Sequence, residues 1–495
     1  MRKVINEQMV FGQIDISAIR IDPKSRDDIP RLLRGLQHIY TQPELRDRVF
    51  AILAEMRPVQ ADGKTQVSAE KGRPGMELWK ILVLGVMRLG LNADYDRIHD
   101  LANYHLAIRE MLGHGGWAEN TDAPYHLQTI KDNLSLFTPE ILDRINQEVV
   151  QAGHVLLKKR PGEGLTARCD SFVVETRVHY PSDINLLLDA VRKTIETCSR
   201  AAHAQGWTEW RQWRYLQRNF KRSYRILQKI KHSTAQDPQK RAAHDERMLE
   251  AYSAYVMLAE QHVVRASDTA NALKENGVND TAQQIEGYLV HARRQIDQIR
   301  RRVLQGEKIP HSEKVFSIFE PHTEWISKGK AGVPVELGLR VCIVEDQYRF
   351  ILHHTVMEQT TDDQVAVPMV KEAQLRFRGI HSMSFDKGFH SPANQTALRE
   401  ILPMVVLPKK GRKSIDEKSR ESDPEFVGLR HQHSAVESAI NALEQHGLDI
   451  CPDHGITGFK RYVAMAVLAR NLHRLGAVLM NLETEKRWRY RKEAA

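Results

Sequence analysis

A long helical stretch separates two groups of strand patterns in this chain. From Ile184 to Gly306 apolar residues follow helical spacing, charged residues are frequent, and Pro and Gly are rare. A β-branched run centred near Asp170 precedes the stretch. Because strands bury their apolar residues in a shared sheet, this order predicts an α/β core that a helical insertion interrupts. The strand patterns that follow the stretch are Val333–Val344, Tyr348–Val356, Ile380–Phe385 and Met404–Leu407.

The first 160 residues are predicted to be helical, because apolar residues recur there at three- and four-residue spacing without a strand pattern. The segments Tyr95–Leu101 and Tyr125–Asn133 are typical of two short helices, with capping residues at Asn120–Ala123 before the second. This pattern is compatible with a helix-turn-helix and equally with a plain helical bundle or dimerisation domain.

The end of the chain is also predicted to be helical, over Ser434–His446 and Phe459–Met480. The polar stretch between Arg412 and Pro424 is rich in helix-breaking residues and predicts a mobile loop. We therefore expect an all-α N-terminal DNA-binding or dimerisation domain at 1–160, an α/β core at 161–185 and 310–480, a helical insertion at 186–309 and a basic C-terminal tail at 481–495.

The charge of the chain favours a polyanionic partner. The 72 Lys and Arg residues exceed the 63 Asp and Glu residues, which gives a net charge of +9. Apolar runs such as Ala464–Ala469 are far shorter than a membrane span, so no membrane partner is expected. The 4 widely separated cysteines and the charged N-terminus predict buried thiols in a cytoplasmic protein.

Three acidic residues stand where an α/β fold commonly builds ligand sites. Asp170 interrupts an otherwise apolar strand pattern, where a carboxylate is costly unless it has a partner or a function. Asp386 directly follows the strand pattern that ends at Phe385, and strand ends are common places for ligands. Glu437 lies one turn into the helix that begins near His433. Each residue alone is better explained as an ordinary cap, turn residue or surface ion pair, so a functional hypothesis depends on their convergence.

Converging carboxylates would suit Mg²⁺, which prefers hard oxygen ligands. Two such ions about 4 Å apart activate a water or a 3′-hydroxyl and stabilise the leaving oxygen of a phosphodiester. If Asp170, Asp386 and Glu437 converge, they would suit a pair of Mg²⁺ ions as cofactor, with Mn²⁺ as a substitute. Spacing along the sequence does not establish that the three residues meet.

Three segments, in the same order along the chain, resemble motifs of one enzyme family. Residues 170–187 (DSFVVETRVHYPSDINLL) look like the first-aspartate motif of bacterial DDE insertion-sequence transposases. Residues 386–394 (DKGFHSPAN) resemble the second motif, and residues 433–448 (HSAVESAINALEQHGL) resemble the third, which carries the glutamate. The most similar group is the one known as ISNCY. The segments 72–79, 95–104 and 125–133 also resemble that group, so the resemblance covers most of the chain.

This resemblance implies a fold and an activity. The fold is an RNase H-like catalytic core, in which the first strand, a later strand and a C-terminal helix bring Asp170, Asp386 and Glu437 together around metal ions. The activity is DNA transposition: the enzyme binds the terminal inverted repeats of an insertion sequence, cleaves the ends by two-metal hydrolysis and joins the freed 3′-hydroxyl to target DNA. The implied partners are double-stranded DNA and at least one further copy of the chain.

The chain departs from the family around the glutamate. Many related transposases have a Tyr, an Arg and a Lys at fixed offsets, whereas this chain has Arg430, His433 and Glu444. The phosphate-contact roles of those residues are therefore not carried over. Glu444 is a rival for the third acid, and Glu175 and Asp183 are rivals near the first motif.

The insertion contains a strongly basic segment. Between Arg200 and His232 there are nine Lys or Arg residues and a single acid, Glu209. Six of the cations recur every three or four residues and would line one face of a helix, which we name the basic stripe. A solvated helix face usually carries compensating acids, so their absence favours contact with DNA phosphates. The basic stripe consists of Arg211, Arg214, Arg218, Arg222, Arg225 and Lys229.

Two smaller groups of residues are further DNA-binding candidates. Trp207, Trp210 and Trp213 begin the same helix and are candidates for stacking on an unpaired base, although such residues are more often part of a core. Lys409, Lys410 and Arg412 follow a short strand pattern and are candidates for phosphate contacts.

The sequence leaves two alternatives to a transposase. One is a metal-dependent DNA nuclease that uses the same acids but does not join strands. The other is a non-catalytic DNA-binding regulator derived from a transposase, which the presence of all three acids disfavours.

Overall fold

The structure is a computed structural model that describes residues 2–6, 8–9, 13–56, 75–114, 125–157, 163–231, 237–327 and 334–493. The chain divides into two compact units. Unit 1 combines Met1–Arg177 with Ile326–Ala495, and unit 2 consists of Val178–Trp325. The fold is α/β, as predicted, and unit 2 interrupts unit 1 along the sequence.

Helices make up most of the structure, and we number them in chain order. Before the sheet begins they are α1 (Asp28–Thr41), α2 (Pro43–Ala54), α3 (Leu78–Gly90), α4 (Tyr95–Tyr104), α5 (Leu106–Met111), α6 (Leu127–Leu134) and α7 (Pro139–Leu157). Unit 2 contains α8 (Asp183–Ala204), α9 (Trp213–Lys231), α10 (Pro238–Glu275) and α11 (Asn279–Ile299). The remaining helices are α12 (Asp362–Arg376), α13 (Pro392–Ile401), α14 (Ile415–Glu421), α15 (Pro424–His433), α16 (Ala435–Leu443) and α17 (Gly455–Glu493).

The described residues form one seven-stranded mixed sheet. Its central strand, β1, pairs with β3 in antiparallel orientation and with β5 and β7 in parallel orientation. β4 lies antiparallel to β3, and β6 lies parallel to β5. The strands are β1 (Leu165–Thr176), β2 (Glu324–Ser327), β3 (Val335–Asp346), β4 (Ile351–Met357), β5 (Ile380–Phe385), β6 (Met404–Val406) and β7 (Ile450–Cys451).

The helix α17 is central to the core of unit 1. It packs against α1, α3 and α7. Gly476 of α17 and Gly35 of α1 let these two helices approach each other closely. A Cβ atom on Gly476 would lie 1.8 Å from the backbone oxygen of Arg31, and one on Gly35 would lie 2.5 Å from the backbone oxygen of Leu472. Among the described residues, α17 is the one helix that is long and apolar enough to cross a membrane. However, 83% of its apolar 18-residue segment is buried inside the protein. It is therefore a core helix of this structure.

The N-terminal helices do not form a separate compact unit. The predicted domain of residues 1–160 and residues 326–480 of the predicted core belong to unit 1 and share one hydrophobic core. Residues 310–325 of the predicted core belong to unit 2. α5 lies between the two helices of the predicted helix-turn-helix, so α4 and α6 are not consecutive. The capping residues 120–123 lie outside the described residues. The predicted tail after residue 480 continues α17 as far as Glu493.

Unit 2 has its own helical core. Tyr255 and Phe220 stack with their ring centroids 4.7 Å apart, and both are buried. The Tyr255 hydroxyl donates a hydrogen bond of 3.0 Å to the backbone oxygen of Ile184, so its polar end is satisfied. The predicted insertion of residues 186–309 lies entirely within this unit.

Candidate active site

Asp170 and Asp386 occupy neighbouring positions in the sheet of unit 1. β1 and β5 run parallel, and Cys169 is paired with Phe385. Asp170 and Asp386 are the next residues along each chain segment. The two carboxylates therefore start from adjacent backbone positions, although Asp170 is half-buried and Asp386 is exposed.

The sheet opens beside Asp170. β5 ends at Phe385, and β7 pairs with β1 only from Glu175 onward, so among the described residues no strand adjoins this edge of β1 between these points, while β3 stays paired along the other edge. Asp386 does not continue the strand but begins a 3₁₀ turn over Lys387–Phe389. Because successive strand residues point to opposite faces, side chains from both faces of β1 reach this opening.

Glu437 approaches the opening from a helix. It lies in the first turn of α16, which packs against β1, while the preceding α15 packs against β5. Val436 and Ala439 are buried, whereas Glu437 is exposed. The apolar face of α16 is thus packed inward, and the Glu437 carboxylate lies on its exposed side.

The electrostatics of Asp170 show that these acids lie close together. Burial, with a further contribution from the negative charges of Asp386, Asp362 and Glu437, raises the pKa of the Asp170 carboxyl to about 7. The backbone N–H of Ser171 opposes this shift by donating a hydrogen bond of 2.7 Å to Asp170 Oδ1. The charges of the other two predicted acids therefore reach Asp170, and so does that of a fourth carboxylate, Asp362.

The fourth carboxylate, Asp362, was not predicted. It is the first residue of α12, and its Oδ1 accepts a hydrogen bond of 2.6 Å from the hydroxyl of Ser171, the neighbour of Asp170. In the sequence, an acid in the first turn of a helix is an ordinary feature that the helix dipole explains. Only the packing of α12 beside β1 reveals its proximity to Asp170.

His433 is a further polar residue near the acids. It precedes Glu437 by one helical turn, and its Nδ1 lies 3.0 Å from the hydroxyl oxygen of Ser384 on β5. Its Nε2 is buried without a hydrogen-bond partner among the described residues. Burial lowers the pKa of His433, and the nearby Asp386 carboxylate acts in the opposite direction. His433 thus brings one anchored and one unpaired ring nitrogen to the site.

The acids suit a hard cation in their chemistry, but their side chains are not arranged as a finished metal site. In the described part of the chain, no three His, Cys, Asp or Glu side chains are close enough together to hold a metal ion. The donor set nevertheless consists of carboxylates, the ligands that Mg²⁺ prefers. Asp386 and Glu437 are exposed, so their side chains are free to turn towards Asp170. The residues therefore fit a divalent cation by donor type and by backbone position.

The rival acids lie elsewhere. Glu444 follows α16 in a separate π-helical turn. Glu175 is paired with Ile450 of β7, beyond the opening in the sheet. Asp183 belongs to unit 2 and forms an ion pair of 2.8 Å with Arg302. Asp170, Asp386 and Glu437 remain the set that the fold brings together.

The basic stripe is exposed on unit 2. Five of its residues lie on α9, and Arg211 lies just before that helix. All six side chains are exposed, and none forms an ion pair with an acid of the described residues. Phe220 and Leu227 of the same helix are buried in the core of the unit. α9 therefore has one apolar face packed inward and one cationic face in solvent.

The three tryptophans differ in their surroundings. Trp210 is buried, its indole N–H donates a hydrogen bond of 2.9 Å to Thr269, and Arg265 lies over its ring. Trp210 is therefore a core residue in this structure and is not accessible to a base. Trp207 and Trp213 are half-buried. Trp213 lines a groove of about 770 Å³ between α8 and α9 that Arg214, Arg218 and Lys221 border.

The predicted mobile loop after β6 is partly helical. α14 forms there because Ser414 and Glu417 build a capping box at its N-terminus. Lys409 is half-buried and forms an ion pair of 2.7 Å with Glu417, so its charge is already partnered. Lys410 and Arg412 are exposed. These two residues remain candidates for phosphate contacts.

Comparisons with known proteins identify no relative. No model of a known protein family, no curated protein and no solved structure matches the chain.

The raised pKa of Asp170 makes the stability of the metal-free protein depend on pH. The ordinary value is 3.8 and the folded value is about 7, so the folded state holds this proton more tightly than the unfolded state. Stability should therefore fall as pH rises from about 4 to about 7. We expect Asp170→Asn to raise the melting temperature at pH 8 and to change it little at pH 4. Thermal unfolding in a chelator at both values tests this, and an equal change at both would contradict it.

Proposed function

We propose that this protein is a DNA transposase of the DDE type. The observation that carries the proposal is the meeting of three acids from separate parts of the chain. Asp170 and Asp386 follow paired residues of two parallel strands, and Glu437 lies on a helix packed against the first of them. This is the arrangement that the sequence motifs imply, and it depends on contacts between residues more than 200 positions apart.

We further propose an RNase H-like core for unit 1. The support is the mixed sheet, in which β1 lies centrally between the antiparallel β3 and the parallel β5. A later strand and a C-terminal helix then bring the second and third acids to β1, as the resemblance implies. Unit 2 enters the chain directly after β1 and ends within β2.

In this proposal Asp170, Asp386 and Glu437 hold two Mg²⁺ ions. When bound, such ions supply Lewis-acid stabilisation of the scissile phosphodiester and activation of a hydroxyl nucleophile. The chain's own residues provide the negative charge that attracts cations and the rigid strand from which Asp170 projects. The raised pKa of Asp170 reflects its burial first and the neighbouring carboxylates second.

DNA binding is assigned to the basic stripe and to Lys410 and Arg412. Exposed cations without acidic partners bind phosphates and release counterions from DNA. The half-buried Trp213 beside Arg214 and Arg218 is the tryptophan best suited to an unpaired base. Binding by these surfaces leaves the acids free for chemistry, and cutting both ends of an element requires at least two copies of the chain.

A salt titration tests the role of the basic stripe. If Arg214, Arg218 and Arg222 each contact one phosphate, replacing all three with Ala should reduce the slope of log affinity against log salt by about 2.7. The matched control replaces Lys240, Arg241 and Arg247, three exposed cations of α10, with Ala. We expect fluorescence anisotropy to give an unchanged slope for the control. Equal losses for both triple variants would indicate a general charge effect and would contradict a specific surface.

Product analysis tests the proposed function. The wild-type protein is incubated with Mg²⁺ and a DNA fragment that carries the ends of the element, and the product termini are determined. Transposase activity predicts 3′-hydroxyl ends together with joined strands. Cleavage without joined strands would indicate a nuclease, and DNA binding without metal-dependent products would indicate a regulator. Either of these results would overturn the transposase proposal.

A further inference from the structure

Asp362 is fixed between the two chain segments that carry the aspartates of the site. On one side its Oδ1 accepts the hydrogen bond of 2.6 Å from Ser171 on β1. On the other side lies the turn that follows Asp386: a Cβ atom on Gly388 would be 3.1 Å from Asp362 Oδ2. The Asp362 carboxylate thus lies against both segments.

A side-chain amide ties the start of α12 to the same turn. Asn394 Nδ2 donates hydrogen bonds of 2.6 Å to the backbone oxygen of Asp363 and of 2.9 Å to the backbone oxygen of Phe389. Because both acceptors are backbone atoms, this link holds the first turn of α12 beside the turn after Asp386. The position of Asp362 is therefore set by contacts beyond its own helix.

The neighbouring acid, Asp363, has an ordinary role. Its Oδ1 accepts a hydrogen bond of 2.6 Å from the hydroxyl of Thr361 at the start of α12. This contact is local and is typical of a helix N-terminus, where an acid is stabilising. Helix capping therefore explains Asp363. It does not explain why Asp362 contacts Ser171 and lies close to Gly388.

We propose that Asp362 is a positioning residue of the cation site and strengthens the binding of divalent cations by Asp170 and Asp386. The inference rests on the proposed function and adds a fourth carboxylate to its three acids. Two effects follow from the geometry. The Asp362 charge adds to the negative field at the opening of the sheet, and its contacts keep β1 and the Asp386 turn in a fixed relation. Carboxylate charge and outer-sphere contacts both tune the affinity of a cation site.

The experiment measures Mn²⁺ binding to the full-length protein without DNA, by electron paramagnetic resonance of the free ion. Asp362→Asn keeps the size of the side chain and an oxygen that accepts from Ser171, but removes the charge. We expect Mn²⁺ affinity to fall by about tenfold or more, the range seen when contacts behind metal ligands are lost. Asp363→Asn is the matched control on the adjacent residue and should bind Mn²⁺ as the wild type does.

A second variant keeps the inference testable if Asp362→Asn does not fold. Ser171→Ala retains all the acids and removes only the hydrogen bond to Asp362, and it should weaken Mn²⁺ binding in the same direction. Circular dichroism of the metal-free variants separates a loss of binding from a loss of fold.

The outcomes distinguish this inference from the proposed function. If the wild type binds Mn²⁺ and folded Asp362→Asn binds it equally well, the role of Asp362 is overturned while the transposase proposal stands. If the wild type neither binds Mn²⁺ nor cleaves DNA with it, the proposed function fails, and the inference fails with it. An equal loss of affinity in the Asp363→Asn control would also overturn the inference, because it would indicate a general effect of charge at the start of α12.

Discussion

Asp170→Asn, Asp386→Asn and Glu437→Gln should each slow metal-dependent DNA cleavage by on the order of 10³-fold or more. The acids form the proposed metal cage, and a bound metal contributes several kcal/mol of transition-state stabilisation, of which about 4 kcal/mol corresponds to this factor. Asp170 should be the most sensitive, because it lies between the other carboxylates and is the least exposed of the three. Single-turnover cleavage of end-bearing DNA measures the effect.

DNA affinity provides the internal control for these variants. Binding energy is assigned to exposed cations, so the three variants should bind DNA within a few-fold of the wild type. Glu444→Gln is the matched control for Glu437→Gln, since it removes an acid from the adjoining turn. If Glu444→Gln lost cleavage while Glu437→Gln kept it, the third acid would be wrongly assigned. Full cleavage by either aspartate variant would remove that residue from the site.

Asp346→Ala should lower the free energy of unfolding by about 3–5 kcal/mol, because three hydrogen-bonding groups would lose their partner and each such loss in a buried site costs about 1–3 kcal/mol. Asp346 is fully buried at the end of β3, and its Oδ2 lies 2.6 Å from Nε2 of His154 on α7. Its Oδ1 accepts hydrogen bonds from the backbone N–H groups of Tyr348 and Phe350, at 2.8 and 2.9 Å. Alanine would leave both amides and the imidazole without this acceptor in a buried site.

Asp346→Asn serves as the control for that variant. Its amide oxygen still accepts from the two backbone N–H groups, so the loss of stability should be clearly smaller than for alanine. Urea unfolding of both variants measures the difference. Equal and small losses would contradict the structural role of the carboxylate.

The three acids of the candidate site stand out in the sequence because their local patterns are informative. Asp170 stands in an apolar strand, Asp386 follows a strand end, and Glu437 lies on the exposed side of an apolar helix. Strand ends and helix faces can be recognised in the sequence. The α/β class followed from the same patterns, because strands flank a helical stretch.

Residues whose role depends on long-range packing were not predicted. Asp346 lies outside the strand pattern that ends at Val344, but β3 extends to it and His154 of α7 contacts its carboxylate in the core. Asp362 has the sequence signature of an acid in the first turn of a helix, and its contact with Ser171 depends on how α12 packs in the fold. Trp210 was a candidate for base stacking, but α10 supplies Thr269 as its partner and buries it. In each case the deciding contact comes from a distant part of the chain.

Strand joining with pre-cut DNA ends tests the central claim most directly. Ends that carry a 3′-hydroxyl are compared with ends that carry a 3′-deoxy terminus, in the presence of Mg²⁺ and a target plasmid. The account predicts joined products with the hydroxyl ends alone, and their loss in Asp170→Asn. If the protein binds both kinds of end and joins neither, it is not a strand-transferring transposase.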